Sequence, residues 1–386
     1  MVAKTEVADV LDAHWPQVEQ LATINSWQLR TLSAVRRCRT AALGSHVDGC
    51  TGCGHLRISY NSCRPDSYRD HCPKCQGRQR EKWITARQAE LLPVPYFHVV
   101  FTLPDTLHPL CLHQPSTMYN ILFDSVWDTI NCFGKDAKWL GAATGMIAIL
   151  HTWGQTMTLH PHLHCIVPGG GLTKQHKWRT AKSEGKYLFN VKAMSTVFRG
   201  KFIGQLKKRL PAHITPALLN SLYKQQWVVF AKKPFDSPHS VIEYLGRYTH
   251  KIAISNHRLQ KQENGKVDFT YKDYKHGAVT KTMQLEAMEF IRRFSLHILP
   301  KGFVRIRHYG ILSSSSKQRC TERIKAQLPP IKTPAYIKPK AKPEPFNPRQ
   351  CPCCKKDTMQ TIMQFKNKPP PAYWQQLAAD LLQCIV

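Results

Sequence analysis

The alternation of apolar and polar positions changes character several times along the chain. Residues 1–35 predict mostly helix, as in VEQLATINSWQLRTLSAV. From 36 to 80 that periodicity disappears and Cys, His, Gly and Arg dominate; a helical pattern returns over 81–92 (EKWITARQAELL). At 96–103 aromatic and β-branched residues alternate in YFHVVFTL and stop at Pro104, which predicts a strand. Residues 116–150 read as two helices, followed by a strand at 162–167 that Gly169, Gly170 and Gly171 terminate. Helix is expected over 193–224 and strand at 227–231. Another helix is expected at 238–249, where Ser237 can cap and Pro238 suits the first turn. KIAIS (251–255) and VDFTYKDY (267–274) read as strands, 283–294 as helix and 303–310 as a further strand. Seven prolines and many lysines in 329–348 predict a linker or extended arm. The succession is that of an α+β chain, expected to divide into residues 1–92, 93–315 and 316–386.

Composition narrows the partners. Of 386 residues, 42% are hydrophobic, enough for a sizeable core and too many for a disordered chain. Lys plus Arg number 55 against 25 Asp plus Glu, a formal net charge of +30. That excess is spread along the chain rather than gathered in one block. It points to a polyanion, nucleic acid ahead of an acidic membrane surface. The first residues lack a signal-peptide core, and the apolar run near Met146–Leu150 is far too short to cross a bilayer. No membrane partner and a cytoplasmic location are therefore expected. In that compartment the fourteen cysteines suit metal ligation or burial better than disulfides.

The cysteines are clustered. Cys50 and Cys53 form one CxxC pair, and Cys72 and Cys75 another, with 18 residues between them. Two such turns supply four thiolates in tetrahedral array, so the spacing predicts one structural zinc on these four. Cys63 and His71 are further candidate ligands, and Cys38, His46 and His55 lie nearby. The many arginines of this stretch suit phosphate contacts. Cys351, Cys353 and Cys354 make only half a zinc knuckle by themselves.

In HPHLHCIVPGGG (160–171), His162 and His164 flank Leu163. Alternate strand residues share a face, so these imidazoles point the same way, about 7 Å apart along the backbone. They can share one divalent ion while Leu163 and Cys165 face the core. Gln155, His160 and Glu243 are the candidates for a third ligand. In SPHSVIEYLGRYTHK, Tyr244 and Tyr248 stand four residues apart on one helical face. A phenolate can attack a phosphodiester and conserve its bond energy as phosphotyrosine.

HTWGQ…HPHLHCIVPGGGL at 151–172 resembles the histidine–hydrophobe–histidine (HUH) motif of rolling-circle, two-tyrosine transposases of the insertion-sequence-ninety-one type. YLGRYTHKIAISNHRL at 244–259 resembles their tyrosine motif, and the likeness continues through EFIRRFSLHILPKGFVRIRHYGIL at 289–312. HVDGCTGCGHLRISYNSC…HCPKCQ at 46–76 is similar to the family's zinc-binding region. The resemblance implies a central antiparallel sheet with packed helices, preceded by a small zinc module. It implies a single-stranded DNA endonuclease and strand transferase acting through a 5′-phosphotyrosine intermediate. Carried over, Tyr244 and Tyr248 are the nucleophiles. His162 and His164 hold catalytic Mg²⁺ or Mn²⁺, and Cys50, Cys53, Cys72 and Cys75 hold zinc.

The partners implied are single-stranded DNA at transposon ends and target, with host replication or helicase proteins supplying unwinding. Lys207, Lys208, Arg209, Lys232, Lys233, Arg292, Arg293, Arg305 and Arg307 are candidate phosphate contacts. Two other readings compete. A rolling-circle replication initiator would use the same chemistry, and a non-catalytic zinc DNA-binding protein would explain charge and cysteines but not the histidines or tyrosines.

Overall fold

A computed structural model describes residues 5–63, 71–75, 84, 90–182, 188–231, 241, 252–329 and 347–383. After three short helices, β1 (Ser45–Cys50) and β2 (Leu56–Tyr60) form a hairpin. Then come β3 (Tyr96–Thr102), the long helix Pro115–Lys135, β4 (Gly145–Trp153) and β5 (Leu159–Pro168). The small hairpin β6 (Gly170–Leu172) and β7 (Trp178–Thr180) leads into helices Val191–Arg209 and Pro216–Lys224 and then β8 (Val228–Ala231). A meander of β9 (Leu259–Glu263), β10 (Lys266–Asp273) and β11 (Val279–Glu286) runs into helix Ala287–Ser295. β12 (Ile306–Gly310), helix Lys317–Lys325, β13 (Met359–Phe365) and helix Ala372–Gln383 complete the described elements.

The central sheet has the order β12-β4-β5-β3-β8, and every neighbouring pair is antiparallel. This is the α+β architecture expected from the sequence. One sheet face is apolar throughout. Phe97, Val99 and Phe101 of β3, Leu163, Cys165 and Val167 of β5, and Ala148 and Leu150 of β4 pack there against the two long helices. The other face carries Tyr96, Ile149 and Ile166 in a second cluster, with histidines beyond them.

Four element readings need correction. Residues 145–150, read as the end of a helix, belong to the strand Gly145–Trp153. Their burial is nearly continuous, because the strand is covered on both faces, and a continuous apolar run carries no period that separates strand from buried helix. Residues 283–286 close β11 before the helix starts at Ala287, and 252–255 have no strand pairing. Pro161 was expected to precede the regular strand. Instead β5 begins at Leu159, because the register shift between His151 and Trp153 places His160 and Pro161 in a bulge, where no amide donor is needed.

The late segment does not trail away. β13 pairs antiparallel with β1, giving a three-stranded sheet β13-β1-β2. The N-terminal helices pack on the meander and on helix Ala287–Ser295 in one shared core. Trp27 donates its indole N–H to the Leu299 carbonyl at 2.9 Å, and the Gln28 amide donates to the Ser295 carbonyl at 2.9 Å. Among the described residues, no helix is long and apolar enough to cross a membrane.

Candidate functional site

Register places the histidines. His162 of β5 lies opposite Thr102 of β3 on one side and His151 of β4 on the other, and His164 lies opposite Val100 and Ile149. Facing residues in a ladder share a sheet face, so His151, His162 and His164 converge. One ring nitrogen from each lies within 4.8 Å of the others. The Nε2 atoms of His162 and His164 are 3.1 Å apart. Two nitrogens bound at about 2.1 Å to one ion and roughly at right angles stand about 3 Å apart. His151 and His164 are buried, while His162 is half-buried.

The hydrogen bonds around these rings decide which nitrogen is free. His162 Nδ1 donates to the His160 carbonyl at 2.6 Å, leaving the Nε2 lone pair toward the cluster. Burial pushes its pKa down to about 4, so the ring is neutral, as a ligand must be. His98 Nε2 sits 2.8 Å from His164 Nδ1, with the two rings stacked 5.1 Å apart. With His164 Nδ1 donating to His98, the His164 Nε2 atom is the one turned toward His162. The His151 ring stacks on Trp153 at 4.6 Å.

The three candidates for a third ligand fare differently. Gln155 Oε1 is turned toward the meander, 3.4 Å from the Lys272 amide. His160 packs 5.1 Å from the His162 ring outside the converging group, and Glu243 lies outside the described residues. His151 takes the third place. Sequence reasoning missed it because most of the strand that carries it was read as helix.

The cysteines also regroup. Cys38, Cys63, Cys72 and Cys75 form one four-thiol cluster, and Cys50, Cys53, Cys351 and Cys354 form another. The two CxxC pairs therefore belong to different clusters, which corrects the expectation of one shared ion. The reason is topological: Cys50 and Cys53 end the β1 hairpin that receives β13, whereas Cys38, Cys72 and Cys75 meet under the N-terminal helices. In the first cluster Cys75 Sγ is 3.6 Å from both Cys38 Sγ and Cys63 Sγ. That is too long for a disulfide of about 2.05 Å. It is near the edge of about 3.8 Å of a tetrahedron with 2.3 Å zinc–sulfur bonds.

All four thiols of that cluster are buried in the core shared with Val35, Ile254 and Phe290. Mutual contact splits their acidities: Cys38 is driven down, with Cys63 first among the causes, and Cys63 is driven up, chiefly by Cys38. Four such groups ionise together only around a cation. His71 is not part of the cluster. It is buried in a small cavity with His297 and Arg305, and burial lowers its pKa to about 3.

Among the candidate phosphate contacts, Lys207 and Lys208 are exposed at the end of helix Val191–Arg209. Arg209 pairs with Asp124 at 2.6 Å, and Arg292 and Arg293 both bond Glu289. Arg305 is buried, and Arg307 bonds Asn120 at 2.6 Å while lying over the Phe123 ring. Lys232, Lys233, Tyr244 and Tyr248 lie outside the described residues.

Known proteins resemble both parts of this arrangement. A family model described as "Putative transposase" matches residues 145–319, and one described as a transposase zinc-binding domain of IS91 type matches residues 10–103. The chain is 40% identical over 394 residues to "Putative transposase y4qJ" of Sinorhizobium fredii (strain NBRC 101917 / NGR234), covering 96% of this chain and 98% of that one. It is 28% identical over 345 residues to the transposase for insertion sequence element IS801 of Pseudomonas savastanoi pv. phaseolicola, covering 85% of this chain and 82% of that one. His151, His162 and His164 fall in the first matched region, and Cys38, Cys63, Cys72 and Cys75 in the second. Cys351 and Cys354 lie beyond both.

Proposed function

The chain belongs to the IS91-type transposases, and from that membership we propose that it nicks single-stranded DNA at the ends of an insertion sequence and transfers strands through a 5′-phosphotyrosine link. The observation that carries this reading is the convergence of His151, His162 and His164 on one point of the sheet face opposite the main core, with His162 half-buried. Three imidazoles, with no carboxylate among the described residues of the group, suit Mn²⁺ better than Mg²⁺, which prefers oxygen ligands. When bound, such an ion supplies a Lewis acid for a phosphate oxygen.

The remaining chemistry falls to the protein. Tyr244 or Tyr248 is the proposed nucleophile. Its phenolic oxygen forms a bond to phosphorus as the bond from phosphorus to the 3′-oxygen breaks. The phenolic proton passes to solvent, and the leaving oxygen takes up a proton to become a 3′-hydroxyl. Attack by a 3′-hydroxyl on the phosphotyrosine reverses the step on a new strand, so no nucleotide cofactor is required. Two tyrosines allow two strands to be handled in turn. The sequence holds no Walker motif, so host replication or helicase proteins are the proposed source of unwinding.

Val228 and Phe230 of β8 support a single-stranded substrate. Both are exposed, and Phe230 pairs with Val100, itself opposite His164. The Phe230 ring therefore stands two strands, or about 10 Å, from His164 on the same face. Exposed aromatics beside a reactive centre are base-stacking platforms. Cys38, Cys63, Cys72 and Cys75 are the proposed ligands of the structural zinc that the matched zinc-binding domain implies.

The test uses labelled single-stranded DNA bearing the element's end, incubated with Mg²⁺ or Mn²⁺ and run on a denaturing protein gel. The expected result is a labelled, protease-sensitive adduct that EDTA prevents and that Tyr244→Phe with Tyr248→Phe abolishes. Tight binding without any adduct, across both metals and authentic ends, would overturn the reading.

A further inference from the structure

The second four-thiol cluster joins segments far apart in the chain. Cys50 ends β1 and Cys53 follows it, while Cys351 and Cys354 precede β13, at sequence separations of 298 and 304 residues. Two cross-contacts close it: Cys50 Sγ to Cys354 Sγ and Cys53 Sγ to Cys351 Sγ, each 3.6 Å. As in the buried cluster, that distance excludes a disulfide and fits the edge of a tetrahedral thiolate cage.

The two turns are built alike, although CTGC and CPCC share only their terminal cysteines. The Cys50 amide donates to the His55 carbonyl at 2.9 Å, and the Cys351 amide to the Lys356 carbonyl at 2.8 Å. The Gly54 amide donates to the Cys50 carbonyl, and the Lys355 amide to the Cys351 carbonyl, each at 3.0 Å. Gly54 has φ +74° and Lys355 φ +60°. A lysine rarely adopts that backbone, so the turn geometry is imposed at this position. The Gly52 amide points at Cys50 Sγ from 3.3 Å, and the Cys353 amide likewise at Cys351 Sγ. The Thr358 hydroxyl stands 3.0 Å from Cys50 Sγ. Amide and hydroxyl donors aimed at sulfur stabilise thiolates. Two turns of one design, brought together where the start of β13 pairs with the end of β1, gather four sulfurs at one point.

We propose that Cys50, Cys53, Cys351 and Cys354 bind a second zinc ion, which fastens residues 347–365 to the N-terminal sheet. Binding converts four thiols to thiolates, with their protons released to solvent and no change of oxidation state. The ion closes its shell with sulfur, so the site is structural rather than catalytic. Cys353 stands between the ligands without joining them.

Metal analysis of the full-length, reduced protein tests this without reference to DNA cleavage. Two zinc ions per chain are expected. Cys351→Ser with Cys354→Ser should retain one, and Cys353→Ser should retain two. Thiol alkylation of the native wild-type protein, mapped by mass spectrometry, gives a second readout that needs no variant. Cys53 and Cys132 are both exposed, yet Cys53 should resist alkylation until a chelator is added, whereas Cys132 should react at once. One zinc in the wild type with none lost in the double variant would overturn the proposal. So would Cys53 reacting as fast as Cys132 in zinc-loaded protein, or Cys50–Cys354 and Cys53–Cys351 disulfides in the reduced protein.

Discussion

The histidine cluster draws on two strands and the buried cysteine cluster on three chain segments, and the two leave different space around their centres. Cys38, Cys63, Cys72 and Cys75 offer four anionic ligands inside an apolar core, which complete a tetrahedron and admit no substrate. His151, His162 and His164 offer three imidazoles and no fourth ligand among the described residues, so positions around an ion stay open. Closure without access serves stability, and access without closure serves chemistry. Mutations on the two sides should therefore separate folding from activity.

The largest expected effect is on the cysteine side. Cys72→Ser removes one ligand from a site where apparent zinc affinity is worth roughly 10 kcal/mol in small zinc domains. The variant should lose most soluble, cooperatively melting protein; a thermal melt within a degree of wild type would break the contrast. On the other side, His162→Ala should lower metal-dependent cleavage at least ~100-fold, the equivalent of a few kcal/mol of lost electrostatic stabilisation. Its melting temperature should stay within a few degrees, because the side chain contributes little to either core.

A smaller effect separates ligand from support. His98 is 2% exposed and reaches the cluster through the His164 ring, so it acts as a positioning residue. His98→Phe should weaken Mn²⁺ binding about 10- to 100-fold, with cleavage largely restored at saturating metal. A rate that stays low at saturation would mean a role beyond holding His164. The smallest effect is pH-dependent. Burial lowers the His297 pKa from 6.5 to about 4, and the ring is fixed by the Thr152 hydroxyl and the Met157 carbonyl. The folded state thus binds fewer protons than the unfolded state between these values. The contribution is complete above pH 6.5 and declines as pH falls toward 4, with about 2 kcal/mol lost by pH 5. Denaturant melts at pH 7 and pH 5 measure it, and His297→Gln should shrink the difference by about 2 kcal/mol, leaving the part due to His71 and His162.

The fold was legible where local pattern carried it. β3 and β5 are short β-branched and aromatic runs stopped by Pro104 and the glycine run, so they read as strands, and the shared direction of His162 and His164 followed from parity. β4 was not legible. GMIAILHTW is covered on both faces, shows no alternation, and so concealed His151. The zinc module was visible as chemistry but not as grouping. CxxC spacing shows that two sulfurs meet, yet which two pairs meet is set by β13 docking on β1 about 300 residues later. Charge counting marked the arginines as contacts to phosphate, but Glu289, Asp124 and Asn120 already engage several of them.

The pairing of β13 with β1 also has a consequence in time. Ribosomes emit roughly 5–20 residues per second, so the hairpin holding Cys50 waits on the order of 15–60 seconds for the strand that completes its sheet. Throughout that interval the outer edge of β1 is an open template for wrong pairing. A message cut short before codon 359 would yield chains that keep this edge for good, and such chains are marked for aggregation or degradation.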